Sequence, residues 1–216
     1  AGPLLATIRL VMLVALPAYA GMAAVAHPLV AVLLGNKWGG VAPLLPILAI
    51  AMSMMTLQIL FAPATNARGV PGVALKNAML GSVIMPAAFL IGSLWGLDGF
   101  AWGWVGGMAV LTSATVIWSG RVVGLRMSAL CRAIAPPLVA SLVMAALVAL
   151  TLMHLPADLP PLATLAIVAT LGVALYAGLL NLIAPSRLKE ALEFARNRGA
   201  ADTPPTTVIA ERTVNE

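Results

Sequence analysis

Long apolar runs constrain this chain more than any other feature of its sequence. Six of them follow one another, separated by glycine, proline or charged residues. An α-helix rises 1.5 Å per residue, so about 20 apolar residues are needed to cross a hydrocarbon core of about 30 Å. The runs cover residues 4–34, 41–62, 73–95, 100–119, 136–153 and 162–183. They predict an all-α membrane protein with a bundle of about six transmembrane helices.

Composition also favours a lipid environment. Hydrophobic residues make up 62% of the 216 residues and charged residues only 9%, which leaves too little polar surface for a soluble domain of this size. A transmembrane β-barrel is excluded, because its strands are about half as long and alternate between apolar and polar residues. The connections between the runs are short, so we expect consecutive helices to pack as antiparallel neighbours.

The chain changes character after the last apolar run. We predict a transmembrane helix bundle over residues 1–184, a cytoplasmic amphipathic helix over 185–199 and a disordered tail over 200–216. The second segment has apolar residues at helical spacing among charged ones, and the tail is polar with two adjacent prolines. The first residue is not methionine, and the first run lacks the pattern of a signal peptide, so we expect a fragment of a longer protein.

Basic residues predict the orientation. Of the twelve Lys and Arg residues, all but Lys37 flank alternate connections or lie in the tail. Because Lys and Arg are retained on the cytoplasmic side of short connections, we predict that both termini of this chain are cytoplasmic. The net charge of +5 does not indicate a nucleic-acid partner, since the basic residues stand singly and without interleaved aromatic residues.

Two features predict departures from straight spanning helices. Arg126 stands apart from its apolar neighbours between residues 124 and 135, which predicts a short interfacial helix on the inner surface. Prolines inside the spans should each remove a helical hydrogen bond and kink the backbone. These prolines are Pro17, Pro28, Pro43, Pro46 and Pro86.

No catalytic or metal-binding constellation is visible in the sequence. His27 and His154 are far apart, and the single cysteine, Cys131, completes neither a disulfide nor a zinc site. The glycine-rich run 102–107 lacks the strand-to-helix context of a nucleotide-binding loop and instead predicts close packing of helices. We therefore predict no cofactor, no metal ion and no enzymatic activity.

Polar residues inside the apolar runs are candidates for function, because they are costly in the membrane. The candidate substrate-binding residues are Arg9, Gln58, Asn66, Lys76 and Asn77. In one interpretation they face a water-filled cavity on the cytoplasmic half and meet the phosphate of a lipid-linked substrate, with Lys76 as a point charge. In the other, Arg9 and Lys76 reach back to the headgroups, while Asn66 and Asn77 cap helix ends.

Several short segments resemble a known family. They are LPAYAG at 16–21, AHPLV at 26–30, LLGNKW at 33–38, APLLPILA at 42–49, ARG at 67–69 and GLDGFA at 96–101. Together they resemble the C-terminal half of polysaccharide flippases of the multidrug/oligosaccharidyl-lipid/polysaccharide exporter superfamily.

The resemblance covers about residues 4–150. It implies a bacterial inner-membrane transporter with two helix bundles around a central cavity. Such a protein moves an undecaprenyl-diphosphate-linked oligosaccharide to the outer leaflet by alternating access. The implied partners are this substrate, the membrane lipids and the N-terminal helix bundle of the same protein.

Other functions are weighed against the flippase. A drug/cation antiporter of the same superfamily is an alternative, although proton-driven transporters usually carry an intramembrane carboxylate and every Asp and Glu here falls in a connection or the tail. A membrane glycosyltransferase or polymerase would be expected to hold its catalytic residues in a sizeable external loop, whereas the external connections here are short. A membrane scaffold without transport agrees with the composition, and only the family resemblance argues against it.

Overall fold

The computed structural model describes residues 2–156 and 159–183. Within these residues the secondary structure consists of eight α-helices and one 3-10 helix, so the predicted all-α fold is confirmed. The elements are α1 (Gly2–Ala24), α2 (Ala26–Leu33), the 3-10 helix (Asn36–Val41), α3 (Leu44–Ile59), α4 (Phe61–Asn66), α5 (Pro71–Ser93), α6 (Gly96–Val123), α7 (Met127–His154) and α8 (Pro161–Ile183). The helix and tail predicted over residues 185–199 and 200–216 lie outside the described residues.

Six helical segments of the described chain are long and apolar enough to cross a membrane. Five are α1, α5, α6, α7 and α8, and the sixth joins α3 to α4 over Leu44–Asn66. This is the pattern of a multi-pass membrane protein. The helices α6 and α7 contain 28 residues each and are therefore about 42 Å long, so they extend beyond the hydrocarbon core.

Proline explains two helix breaks, one directly after the first spanning segment and one within the segment that joins α3 to α4. Pro28 and Pro63 have no amide hydrogen, so the carbonyl groups four residues before them lose their helical partners. The chain accordingly leaves the helix at Val25, between α1 and α2, and at Leu60, between α3 and α4.

The four remaining prolines among those named from the sequence fall into two groups. Pro17 and Pro86 lie inside α1 and α5. Pro43 is the N-cap residue of α3 and Pro46 lies in its first turn, where backbone amides have no helical partner in any case. The prediction that every inner proline removes a helical hydrogen bond is therefore wrong for Pro43 and Pro46.

The predicted interfacial helix between residues 124 and 135 is also wrong. Gly124, with a φ of 67°, ends α6, and α7 begins after two further residues and runs without interruption to its end. Leu130 and Ala133 are buried in the bundle, whereas Cys131 is exposed. The amphipathic pattern therefore marks the buried face of a long spanning helix.

The central pair of the bundle consists of α1 and α3. On one side α6 packs against α3 and α5 packs against α6; on the other side α7 packs against α1 and α8 packs against α7. The order across the bundle is thus α5, α6, α3, α1, α7, α8. The expectation that consecutive helices are neighbours fails for α6 and α7, because α6 packs against α5 and α3 whereas α7 packs against α1 and α8.

The helices α5 and α6 approach each other closely. Gly99, Gly103 and Gly107 recur every fourth residue on α6 and face Gly92 and Ala88 of α5. A Cβ atom at position 103 would lie 2.5 Å from the carbonyl oxygen of Ala88, so only glycine permits this distance. The predicted role of the glycine-rich run in helix packing is confirmed.

The described basic residues collect at one end of the bundle, with one exception. Ile8 and Leu130 belong to one buried cluster that brings together the ends of α1 and α7. Arg68 Nη2 donates a hydrogen bond of 3.4 Å to the carbonyl of Val123, which links the connection after α4 to the end of α6. Lys37 lies at the opposite end. The basic end, as we call it, holds Arg9, Arg68, Lys76, Arg121, Arg126 and Arg132. That it faces the cytoplasm stays a prediction.

Candidate functional site

A cavity of about 300 Å³, which we call the polar cavity, lies between α3, α5 and α6. Its polar lining residues are Gln58 of α3, Asn77 of α5 and Thr115 of α6. The remaining lining residues are Met55, Ile59, Ala62, Ala74, Ala78 and Gly81. The structure thus brings together two of the five predicted site residues, Gln58 and Asn77.

Gln58 lies next to the interruption of its helix. The carbonyl of Ile59 lacks the amide that residue 63 would supply if it were not proline, and beyond Leu60 the short helix α4 packs against α5 and α6. Irregular backbone is tolerated in a membrane only where it is buried in protein or lines a cavity. Ile59 lines the polar cavity, so the break and the cavity belong to one feature.

Hydrogen bonding in the polar cavity is incomplete within the described part of the chain. Asn77 Nδ2 donates a long hydrogen bond of 3.4 Å to Ser119 Oγ. Asn77 Oδ1 and Thr115 Oγ1 are buried and have no hydrogen-bond partner there. A buried polar atom without a partner costs about 1–3 kcal/mol, so a shift of the surrounding helices that brings these two atoms to water or to a polar ligand group in the cavity is favoured. Its volume is ample for several water molecules.

The polar cavity lies inside the spanning region, toward the basic end. Asn77 is six residues from the start of α5, and Thr115 is eight residues from the end of α6. At 1.5 Å per residue, these positions are about 9 Å and 12 Å along the two helix axes. The polar groups therefore lie within the third of a hydrocarbon core of about 30 Å that adjoins the basic end.

The other predicted site residues lie outside the polar cavity. Asn66 and Lys76 are exposed on the surface of the bundle, and Arg9 is half-buried in α1. Arg9 Nε is buried and has no hydrogen-bond partner among the described residues. The capping interpretation is wrong for Asn77, because α5 begins at Pro71 and Asn77 lies in its second turn.

A larger groove of about 620 Å³ lies between α1, α3 and α7. Its walls are mostly apolar, with polar groups only from Tyr19, Ser53, Thr112 and Ser141 among the residues that line it. The hydroxyl oxygens of Tyr19 and Thr56 are 3.0 Å apart and share a hydrogen bond that joins α1 to α3. Ser53 and Ser141 donate to carbonyl groups of their own helices. This central groove therefore offers mainly apolar contact.

Thr115 and Ser119 are not among the site residues predicted from the sequence. The two residues stand four positions apart, so they share one face of α6, and this spacing is visible in the sequence. Hydroxyl side chains in helices commonly donate to the carbonyl group one turn earlier, as Thr151 and Thr170 do. Nothing in the sequence separates Thr115, whose hydroxyl is unpartnered, from such residues.

The fold and the site define a polytopic α-helical membrane protein with a polar cavity among its spanning helices. Residues 3–43 match a family model described as a polysaccharide biosynthesis protein. The match covers nearly all of α1, the whole of α2 and the 3-10 helix, where three of the segments that carry the sequence resemblance lie. Over this region the chain is similar to polysaccharide biosynthesis proteins. No curated protein and no solved structure matches the chain significantly.

Proposed function

We propose that this chain is part of a transporter that moves an oligosaccharide linked to undecaprenyl diphosphate across the bacterial inner membrane. The observation that carries the proposal is the polar cavity, found in a multi-pass protein whose first spanning segment matches a polysaccharide biosynthesis family. The polar head of such a substrate must cross a core of about 30 Å that offers it no hydrogen bonds. Polar groups within the third of the core that adjoins the basic end lower this barrier.

The two recesses suit the two parts of such a substrate. The polar cavity offers the amides of Gln58 and Asn77 and the hydroxyl of Thr115 to sugar hydroxyls and phosphate oxygens. The central groove between α1, α3 and α7 offers apolar contact to the isoprenoid chain. Lys76 precedes Asn77 in the chain and provides a positive charge for the diphosphate at the basic end. Arg9 and Asn66 lie at the same end and complete the proposed set.

Alternating access supplies the proposed mechanism. In two-bundle transporters one bundle rocks against the other around a shared site. We propose that the second bundle is the N-terminal part of the same protein. The interruptions at Val25 and Leu60 provide points at which the spanning helices can bend. In this proposal the substrate is moved without chemical conversion, so the chain is not an enzyme.

The test begins with deletion of the gene in its own bacterium. We expect surface polysaccharide to fall and lipid-linked oligosaccharide to accumulate on the cytoplasmic side. Unchanged polysaccharide and unchanged lipid-linked oligosaccharide in the deletion strain would refute the proposed function. Altered accumulation of a cationic drug in place of these effects would favour the antiporter.

Complementation with variants of the full-length gene tests the polar cavity. The double variant Asn77→Leu and Thr115→Val removes both unpartnered atoms, and its loss of about two hydrogen bonds to substrate should lower export about tenfold or more. Membrane abundance should change little, because neither oxygen has a partner among the described residues and the one hydrogen bond that is also lost, from Asn77 Nδ2 to Ser119 Oγ, is long at 3.4 Å. Ser82→Ala is a matched control, since the exposed Ser82 hydroxyl of α5 donates only to its own helix. Normal export by the double variant would exclude the cavity from transport.

A further inference from the structure

A third recess, of about 720 Å³, lies along the outside of the α5–α6 pair, at the end opposite the basic end. Its lining extends from Ile84 to Trp95 on α5 and from Asp98 to Val110 on α6. These stretches correspond to about 17 Å and 18 Å along the helix axes, or about half of the hydrocarbon core. We call this recess the α5–α6 groove, and its depth equals one leaflet.

The floor of the α5–α6 groove is formed where the glycine residues of α6 contact α5. Gly99 and Gly103 allow α6 to approach α5 closely, and Gly106 leaves the surface of α6 without a side chain beside them. The result is a trough whose walls are the apolar side chains of Ile84, Ile91 and Val110. A flexible hydrocarbon chain fits such a trough, because it needs only apolar contact and no hydrogen bonds.

The mouth of the α5–α6 groove differs from its walls. Trp95 and Trp102 are 71% and 55% exposed, and the exposed carboxylate of Asp98 lies between them in the chain. Asp98 makes no hydrogen bond or ion pair with any residue that the structure describes. Indole faces attract cations through the ring quadrupole, and the carboxylate attracts them by its charge. No described lining residue of this groove is basic.

We propose that the α5–α6 groove binds phosphatidylethanolamine, with an acyl chain in the trough and the ammonium group at the indoles and carboxylate of the mouth. Two observations point to this lipid: the groove is one leaflet deep, and its mouth is complementary to a positive charge. Phosphatidylglycerol carries the same phosphate and chains but no ammonium group, so it gains nothing from Asp98. This inference stands independently of the proposed transport function.

The α5–α6 groove can be tested by tryptophan quenching. The purified full-length protein that contains this chain is placed in nanodiscs of equimolar phosphatidylethanolamine and phosphatidylglycerol, with brominated acyl chains on one lipid or on the other. Bromine quenches tryptophan fluorescence at short range, so the two samples compare the occupancy of the groove by each lipid. We expect a preference for phosphatidylethanolamine of about two- to fivefold, which corresponds to a cation–π contact at an exposed site.

Variants assign the preference to the mouth of the groove. The fluorescence lost in Trp102→Phe should carry the preference, whereas that lost in Trp38→Phe should show no preference for phosphatidylethanolamine, because the adjacent Lys37 attracts the anionic lipid instead. Trp38 is a matched control because it is 56% exposed at the same end but lies outside the groove. Asp98→Asn should lower the preference to the part that the indoles alone supply, and Asp98→Glu should retain it in full, which separates the charge from an effect on folding.

Three results would overturn the proposal. The first is equal quenching by the two brominated lipids in the unaltered protein. The second is a preference for phosphatidylethanolamine that Asp98→Asn leaves unchanged. The third is Trp102 quenching that is independent of the headgroup but is relieved by an added soluble oligosaccharide, which would assign the tryptophans to sugar stacking.

Discussion

Replacing Tyr176 with phenylalanine should destabilise the bundle, because the Tyr176 hydroxyl supplies a hydrogen bond that a proline removes from another helix. Pro17 lies inside α1 and has no amide hydrogen, so the carbonyl of Leu13, four residues earlier, lacks its helical donor. The Tyr176 hydroxyl on α8 donates to this carbonyl oxygen at 2.7 Å. The bond joins the first and last spanning helices of the described chain.

The expected loss of stability depends on whether the carbonyl of Leu13 has another hydrogen-bond donor once the Tyr176 hydroxyl is removed. Hydrogen bonds between membrane helices contribute about 0.6 kcal/mol on average and about 1.7 kcal/mol at most. Leaving a buried acceptor unpaired costs about 1–3 kcal/mol. Because Pro17 removes the backbone alternative, we expect Tyr176→Phe to lower the free energy of unfolding by about 1.5 kcal/mol, near the top of the membrane range.

A double-mutant cycle isolates this effect. Pro17→Ala restores an amide that can donate to Leu13, so Tyr176→Phe in that background should cost no more than about 0.5 kcal/mol, giving a coupling of about 1 kcal/mol. The free energies can be measured by unfolding the four proteins in mixed micelles with increasing dodecyl sulfate, followed by circular dichroism. An equal cost of Tyr176→Phe in both backgrounds would refute the reasoning.

Three further predictions follow from the basic end and from the glycine contact. Cys131, exposed near the start of α7, should resist an impermeant maleimide in intact cells and react once the membrane is opened; labelling of intact cells would reverse the predicted orientation. In the full-length protein, Lys76→Gln should lower export at unchanged membrane abundance while Lys76→Arg retains it, and full export by the Gln variant would leave Lys76 only a role at the headgroups. Gly103→Ala places a Cβ atom against the carbonyl of Ala88 and should lower the free energy of unfolding by about 1–3 kcal/mol. Gly106→Ala, on the same helix but with nothing within 4 Å of its Cβ position, should be neutral or stabilise by up to about 1 kcal/mol; equal losses in the two variants would contradict the close approach of α5 and α6.

The spans were predictable because a membrane helix satisfies its own backbone hydrogen bonds and needs only a run of apolar residues. All six predicted runs correspond to spanning helices in the described chain. The start of α7 was not predictable in the same way. Arg126 suggested an interfacial segment, but the chain turns within a few residues at Gly124 and then forms one long helix. Leu130 of this helix is buried by residues of other helices, which the local sequence pattern does not reveal.

The candidate site was predictable only in part. The rarity of polar side chains in apolar runs marked Gln58 and Asn77, and the structure places both in the lining of one cavity; that they bind substrate stays a prediction. It marked Lys76 equally, although that side chain lies on the exposed surface. Thr115 was missed, because a threonine in a helix can satisfy its hydroxyl within its own helix, and only the packed structure shows that this one does not.

The sequence by itself determined the helical class, the number of spanning segments and the collection of positive charge at one end. Each of these depends on the chemistry of a single segment in lipid, which does not require knowledge of its neighbours. Only the tertiary structure decided that α1 and α3 form the central pair, and that α6 and α7 separate to opposite sides of it. In lipid the outer faces of all six helices are similarly apolar, so these faces do not determine the arrangement. The arrangement depends on close contacts such as those of Gly103 with Ala88 and of Tyr176 with Leu13. The two residues of each contact belong to different helices, so the pattern of residues within one helix does not reveal the contact.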